Sequence, residues 1–201
     1  MSTIASYFIK MTLPAIMGAL LWAISRPLRK RRLALQGRRA GSAREGALLL
    51  LFMFVCGLLW LTLTPPDLNY FLRTGQWLYT PGVPFQGGIN LIPFAESLRL
   101  FQFYVKNEMW SAIWVNFPGN VIMFLPIGFF AGLLSDKPKW WKSTAITAFL
   151  SLFIECFQIF VARGTDVDDL ILNTLGWILG HSLFLLLRRI DPGLVRRCQK
   201  V

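Results

Sequence analysis

Five apolar segments dominate this 201-residue chain, and each is long enough, or nearly so, to cross a lipid bilayer as a helix. A bilayer core of about 30 Å needs about 20 helical residues. Hydrophobic residues make up 55% of the chain and charged residues 15%, whereas a soluble domain carries about 25% charged residues. The sequence therefore predicts an all-α fold, a polytopic membrane helix bundle. Its predicted transmembrane segments are 7–24, 47–63, 110–134, 143–161 and 170–187.

Two of these segments have unusual features. The first contains Lys10 and Pro14, and it lacks the basic start and the small-residue cleavage site of a signal peptide. We therefore expect it to be a retained helix. The third segment is interrupted by Pro118 and Pro126, which predicts a kinked or tilted helix.

The basic residues indicate an orientation. Sixteen of the 21 Lys and Arg residues lie in three regions: between the first and second segments, between the third and fourth, and after the fifth. Alternating helices place all three regions on one side of the membrane, and basic loops favour the cytoplasm. We therefore expect the N-terminus outside and the C-terminus in the cytoplasm.

The positive charge also bears on partners. A net charge of +11 and the run from Arg29 to Arg32 are shared with nucleic-acid-binding proteins, but no recognition fold accompanies them here. We expect no nucleic-acid partner, and we expect the basic loop to contact anionic lipid head groups. Cys56, Cys156 and Cys198 are interpreted as packing residues, neither disulfide-bonded nor nucleophilic.

Polar residues concentrate in the predicted outward half of the bundle. Seven of the ten acidic residues belong to this half, and four of them lie between residues 155 and 169. Helical spacing places polar side chains of the third, fourth and fifth helices at one level of the outer leaflet. The candidates are Asn116, Asn120, Glu155, Gln158, Asp169 and Asn173. The sequence predicts an outward-open polar pocket at this level.

A charged side chain in a membrane costs at least about 2.5–3.5 kcal/mol, so Glu155 should face protein, water or a partner. We expect it to pair with Arg163, which follows on the connecting segment. Two interpretations remain open. The polar residues form either an ion network that only joins the fourth and fifth helices, or a pocket for an amphiphilic ligand.

The start of the fifth helix contains several acidic residues with different expected roles. Thr165 or Asp166 is expected to cap this helix, and Asp168 and Asp169 lie in its first turn, where the helix dipole favours carboxylates. Asp169 is expected to point into the bundle. Asp168 lies about 100° around the helix from Asp169, so we expect it to tolerate substitution best.

Farther along the fifth helix, the spacing of Gly176 and Gly180 predicts close helix packing. His181 has no second His and no Cys beside it. We therefore expect it to pack or to form a hydrogen bond, and not to bind a metal ion.

The outer segment of about 64–109 is too long for a simple connection. It contains Pro and Gly pairs at 65–66, 81–82 and 87–88, and residues 96–105 are apolar over much of their circumference. These residues predict a short interfacial or re-entrant helix. The helix would either cover the polar pocket or anchor the loop without contacting a ligand.

Four motifs occur in order along the chain. They are Asn90-Leu-Ile-Pro93-Phe94, Asn116-x-x-Gly119-Asn120-x-x-x-Phe124-x-Pro126-x-Gly128, Glu155-x-x-Gln158, and Arg163-x-x-Asp166-x-Asp168-Asp169-x-x-x-Asn173-x-x-Gly176. Together, over about residues 47–187, they resemble the VanZ-like family. The resemblance implies a multi-pass protein of the bacterial cytoplasmic (inner) membrane. It also implies a relation to glycopeptide resistance, since the family is named after an accessory protein that gives low-level teicoplanin resistance.

The resemblance also divides the chain. Residues 1–46 would form an N-terminal transmembrane helix and a basic cytoplasmic loop, residues 47–187 a VanZ-like membrane domain, and residues 188–201 a basic cytoplasmic tail.

Two functions are compatible with these residues. In the first, the protein binds or remodels a lipid or a lipid-linked envelope precursor, and Arg163 pairs with its phosphate or carboxylate. The amides that would hydrogen-bond the head group belong to Asn90, Asn116, Asn120, Gln158 and Asn173. We favour this function because carboxylates alone specify no reaction class.

In the second, the protein is an intramembrane enzyme that acts on a lipid phosphate or diphosphate. Asp166, Asp168 and Asp169 would hold Mg²⁺. Glu155 would be the general acid or base, with Asp166 and Asp169 completing the catalytic set. Whether any reaction is catalysed stays open at this point.

Overall fold

The chain is almost entirely helical in the computed structural model, which describes residues 3–39, 41–65, 68–78, 88–135, 140–161 and 163–199. The helices in these ranges are α1 (Thr3–Leu35), α2 (Ser42–Leu63), α3 (Leu68–Thr74), α4 (Ala95–Lys106), α5 (Trp110–Asn116), α6 (Pro118–Leu133), α7 (Trp140–Gln158), α8 (Val167–Ile190) and α9 (Pro192–Gln199). Two short strands, β1 (Ile89–Asn90) and β2 (Thr165–Asp166), pair in parallel.

Four helical stretches are long and apolar enough to cross a membrane, which confirms the all-α membrane bundle. They are Lys10–Leu35, Ser42–Leu63, Trp110–Leu133 and Val167–Ile190, and they correspond to four of the five predicted segments. The remaining predicted segment, 143–161, is α7, a helix of 19 residues that does not reach the same apolar character. Lys142, Glu155 and Gln158 lower the hydropathy of α7.

The first helix is longer than the predicted segment 7–24. It continues to Leu35, so the basic run that was expected in a loop is helical. Arg and Lys are good helix formers, and this part of α1 is held by α2. Glu45, only 5% exposed, forms ion pairs with Arg29 at 3.0 Å and with Arg26 at 3.6 Å.

The predicted kink in the third segment is confirmed. Helix α5 ends at Asn116, Phe117 separates the two helices, and α6 begins at Pro118. Proline is favoured at the first position of a helix because its missing N–H would have no intrahelical partner there.

Helices α6 and α8 touch backbone to backbone at glycines. A Cβ atom on Gly176 would overlap the carbonyl oxygen of Val121, and one on Gly180 would overlap that of Leu125. The predicted close packing at these two glycines is therefore confirmed.

Helix α6 contributes to the same contact from its own side. A Cβ atom on Gly128 would overlap the carbonyl oxygen of Trp177. The ring of His181 stacks on that of Trp177, with centroids 5.2 Å apart, so the expected packing role of this histidine is confirmed.

The C-terminal residues form a folded element. Residues Pro192–Gln199 form α9, whose Val195 and Cys198 are buried. The Gln199 amide donates to the carbonyl of Ser135 at 2.9 Å, and the Arg44 guanidinium donates to that of Leu134 at 2.8 Å. These donors satisfy carbonyl groups left over at the end of α6.

These contacts define two ends of the bundle. The basic end holds Arg44, the end of α6 and α9, as the alternation of helices predicts. The opposite end, where α2 and α7 finish and α8 begins, is called the polar end below. The basic residues Lys137, Lys139 and Lys200 of the orientation argument lie outside the described residues.

The α6–α8 contact leads to a test. We expect Gly180→Ala to lower the stability of the purified protein by about 1–3 kcal/mol, because the added methyl group forces the two backbones apart. Thermal unfolding in detergent measures the effect.

Gly46→Ala in α2 is the matched control, since a Cβ atom at Gly46 meets no atom within 4 Å. Its unfolding temperature should stay the same or rise. Equal unfolding temperatures for the Gly180→Ala variant and the original chain would contradict the close contact.

Candidate functional site at the polar end

A cavity of about 600 Å³ lies at the polar end of the bundle. It lies among β1, α4, the break after α5, the end of α7 and the start of α8. Its described lining residues are Gly88, Ile89, Asn90, Glu96, Ser97, Leu100, Asn116, Phe117, Gln158, Arg163, Gly164, Thr165, Asp166 and Asp169. Six of the residues proposed from the sequence therefore line one space: Asn90, Asn116, Gln158, Arg163, Asp166 and Asp169.

One wall of the cavity depends on a contact that the sequence did not reveal. Ile89 and Asn90 of β1 pair with Thr165 and Asp166 of β2, and the Thr165 N–H donates to the Gly88 carbonyl at 3.1 Å. This pairing joins the long outer segment to the connection between α7 and α8. The Asn90 motif and the aspartate motif thus belong to one structural unit.

Asp166 is the cap of α8, as predicted. Its Oδ1 accepts from the Asp168 N–H at 2.9 Å and from Asn90 Nδ2 at 3.0 Å, and its own N–H donates to Glu155 Oε2 at 3.2 Å. Burial raises the pKa of Asp166 above its ordinary value, and the two hydrogen bonds that it accepts oppose this shift.

Asp169 points into the cavity from the first turn of α8, and Asn120 of α6 donates a hydrogen bond to its Oδ1. Asn120 itself lies behind the lining. Asn173, one turn farther along α8, is buried below the cavity, where its Nδ2 donates to Ser151 Oγ of α7 at 2.9 Å. Asn120 and Asn173 therefore join helices beneath the cavity and do not line it.

The predicted pair of Glu155 and Arg163 is absent among the described side chains, so that expectation is wrong. The Glu155 carboxylate is buried and accepts from the backbone N–H of Asp166. Arg163 instead donates from Nε to the carbonyl of Thr64 at 3.0 Å. A backbone N–H can replace the expected cation because it too stabilises a buried carboxylate.

Arg163 and Gln158 together cap the C-terminus of α2. Gln158 Nε2 donates to the Thr62 carbonyl at 3.2 Å, close to the Thr64 carbonyl that Arg163 holds. The last carbonyls of a helix lack intrahelical partners, and cations are favoured beside them. Gln158 is 7% exposed and lines the cavity, and its buried Oε1 has no hydrogen-bond partner among the described residues.

Asp168 is the most buried of the three aspartates, which contradicts its expected tolerance to substitution. It is 2% exposed, and its Oδ1 accepts from the Phe94 N–H at 2.8 Å. Phe94 precedes α4 with a φ of 63°, a left-handed conformation that is uncommon for a bulky residue. The Asp168 carboxylate thus holds the turn that starts α4.

The predicted short helix of the outer segment is α4, and it contacts the cavity. Glu96, Ser97 and Leu100 line the cavity. Leu98 and Val105, on another face of α4, are exposed. Because α4 lines the cavity with one side, it fits the predicted role of covering the pocket better than that of only anchoring the loop. Residues 79–87 of the same segment lie outside the described residues.

The three aspartates do not form a metal centre in the described part of the chain, where no group of three or more His, Cys, Asp or Glu side chains is placed to hold a metal ion. Asp166 and Asp169 face the cavity, whereas Asp168 faces the Phe94 backbone. The carboxylates of the three aspartates therefore do not face one point, as the Mg²⁺ set would require.

The comparison with known proteins agrees with this arrangement. The VanZ/LLP1 family profile matches residues 48–188, which include all four motifs and the whole described lining of the cavity. The chain belongs to the VanZ/LLP1 family. No curated protein matches it, and neither does any solved structure. With its apolar helices, this VanZ/LLP1 member is a multi-pass membrane protein of the cell envelope.

The role of Asp168 can be tested by mutation. We expect Asp168→Ala to lower stability by about 1–3 kcal/mol, because it removes the buried carboxylate that accepts from the Phe94 N–H. Thermal unfolding of the purified protein measures the loss.

Glu108→Ala, an exposed change in the same outer segment, is the control and should leave the unfolding temperature unchanged. An Asp168→Ala variant as stable as this control would show that the Phe94 contact contributes nothing.

Proposed function

We propose that this protein binds the polar part of an envelope lipid, or of a lipid-linked envelope precursor, in the cavity at the polar end. The observation that carries the proposal is the cavity itself, in which polar groups from separate elements converge beside an apolar helix. Its volume of about 600 Å³ falls within the range of about 300–1,000 Å³ that is typical of small-molecule sites.

The two faces of α4 suit an amphiphile. Glu96 and Ser97 line the cavity, whereas Leu98 and Val105, on another face of the same helix, are exposed. An amphipathic helix of this kind lies in the membrane interface with its apolar side toward the acyl chains. A lipid can then place its head group in the cavity and its chains along the apolar side.

We further propose that the cavity opens to the outside of the inner membrane. The support is the charge at the basic end, where Arg44 and α9 meet and where basic loops favour the cytoplasm. Exposed Lys30, Arg31 and Arg32 of α1 extend this charge, and we propose that they contact anionic lipid head groups. On this orientation the N-terminus is outside and the C-terminus is cytoplasmic.

The same site is the proposed origin of a contribution to glycopeptide resistance of the teicoplanin type. Glycopeptides act on the outer face of the membrane, where the cavity would bind and shield or remodel an envelope precursor. The proposal assigns this activity to residues 47–187.

The orientation can be tested by labelling cysteines in cells. In a chain whose three cysteines are replaced by Ala, we expect Gln76→Cys to react with a membrane-impermeant maleimide in intact cells. Gln36→Cys should react only after the membrane is permeabilised. Both positions are exposed, so the reverse pattern would place the cavity on the cytoplasmic side.

The cavity itself can be tested by filling it. We expect Ser97→Trp to abolish co-purification of bound lipid, measured by native mass spectrometry, and to remove any teicoplanin resistance that the original chain confers. The indole ring would occupy the space beside Glu96 and Leu100.

Gln102→Trp is the matched control, because Gln102 is exposed on the same helix and does not line the cavity. It should retain the lipid and the phenotype. Unchanged lipid retention in Ser97→Trp at equal membrane abundance would overturn the proposed function.

A further inference from the structure

We propose that the acyl chains of the bound lipid pass between α4 and the end of α5, where the rings of Phe101 and Phe117 form a gate. This inference rests on the proposed function and adds the route by which the lipid enters the cavity. Its support comes from the apolar part of the cavity lining, from the apolar surface beside it and from the contacts that separate the two.

The apolar part of the lining lies on the side of α4 and α5. Among the described lining residues, the large apolar side chains are Ile89, Leu100 and Phe117. Leu100 belongs to α4, and Phe117 directly follows α5. The wall formed by the connection between α7 and α8 is polar and includes Arg163 and Asp169. An acyl chain that leaves the cavity therefore meets apolar surface beside Leu100 and Phe117.

An apolar path continues from these two residues to the outside. Phe101 follows Leu100 in α4 and is 44% exposed, and its ring meets that of Phe117 edge to face, with centroids 5.9 Å apart. Val105 lies one turn after Phe101, Trp114 lies one turn before Phe117, and both are exposed. The two rings therefore separate the apolar lining from the exposed apolar side of α4 and α5.

The contacts that close this side are weak. Helices α4 and α5, which the structure describes in full, have no buried residue. Besides the ring pair, Asn116 Nδ2 donates to Tyr104 Oη at 3.5 Å, which is the long limit of a hydrogen bond. Exposed side chains change rotamer rapidly. The gate can therefore open by side-chain rotation, without unfolding either helix.

The start of α4 is held more firmly. The carboxylate of Asp168, which is 2% exposed, accepts from the Phe94 N–H at 2.8 Å. Asn90 Nδ2 donates to Asp166 Oδ1 at 3.0 Å on the same side of the cavity. A buried hydrogen bond to a carboxylate is costly to break. The lipid should therefore enter where α4 meets α5, and not where the start of α4 meets α8.

A reversible link between the two gate positions tests the route. In the chain whose cysteines are replaced by Ala, Phe101→Cys and Phe117→Cys are joined by a short bifunctional methanethiosulfonate, and dithiothreitol later removes the link. Delipidated full-length protein in detergent is mixed with dioleoyl phosphatidylglycerol, and native mass spectrometry follows the bound lipid over time. We expect the linked protein to take up lipid at least about tenfold more slowly, because its entry route is closed. Reduction should restore the rate.

The pair Leu98→Cys and Gln102→Cys is the matched control. Both positions are exposed, lie one turn apart on another face of α4 and fall outside the described lining. The same reagent joins them within one helix and should leave uptake unchanged. Equal uptake by the linked and the reduced gate pair would overturn the gate. Failure of the reagent to join the gate pair in folded protein would also overturn it, because the two positions would then not be in contact.

A second variant tests the gate without a crosslink. Phe101→Ala removes the ring contact, so lipid uptake and release should both become about two- to tenfold faster, the range that the loss of one aromatic pair implies. Leu98→Ala is the control for this variant and should keep the original rates. Rates in Phe101→Ala that do not exceed those of the control would count against the gate.

The outcomes distinguish this inference from the proposed function. Lipid binding that Ser97→Trp abolishes, but that the link between the gate positions does not slow, would overturn the gate and leave the proposed function in place. Lipid binding that Ser97→Trp leaves unchanged would overturn the proposed function, and the gate with it.

Discussion

The backbone contact between α6 and α8 determines where the polar groups of the cavity lie. Gly176 and Gly180 let α8 approach α6 without a side chain between them, which is how membrane helices gain close packing. At this separation Asn120 reaches Asp169, which lies about two turns before Gly176 on α8. If α6 and α8 were farther apart, the side chains of Asn120 and Asp169 would lose each other as hydrogen-bond partners. Within a membrane, polar groups need such partners from the protein. The contact that Asp169 makes with α6 thus depends on the glycine packing farther along α8.

The polar network serves structure and cavity at once, which reconciles the two interpretations that the sequence left open. Asn173 with Ser151, and Glu155 with the Asp166 N–H, join α7 to α8 beneath the cavity. These bonds form the structural network, although its members differ from the predicted pair of Glu155 and Arg163. The lining groups lie above it. Buried polar groups therefore form a support, and the cavity occupies the space between that support and α4.

Patterns within one helix could be predicted from the sequence, and contacts between distant segments could not. The break at Pro118, the cap at Asp166 and the packing at Gly176 follow from local chemistry, and each is confirmed. The contact of Asp168 with the Phe94 N–H joins residues 74 positions apart. Its donor is a backbone group that any residue could supply, so no side-chain pattern reveals it. The pairing of β1 with β2 also depends on backbone groups, and each strand has only two residues. No alternating hydrophobic pattern could therefore predict it.

Capping of helix ends explains why the two ends of the bundle differ. At the basic end, Arg44 and Gln199 donate to the carbonyls that end α6. Gln158 does the same for α2, but its amide has two ends. The carbonyl of Thr62 requires a donor, so it fixes Nε2 toward α2 and directs Oε1 away from that carbonyl. The same side chain is buried beside the cavity that Gln158 lines. The residue that ends α2 therefore also forms part of the cavity wall, so the stability of α2 and the shape of the cavity depend on one side chain.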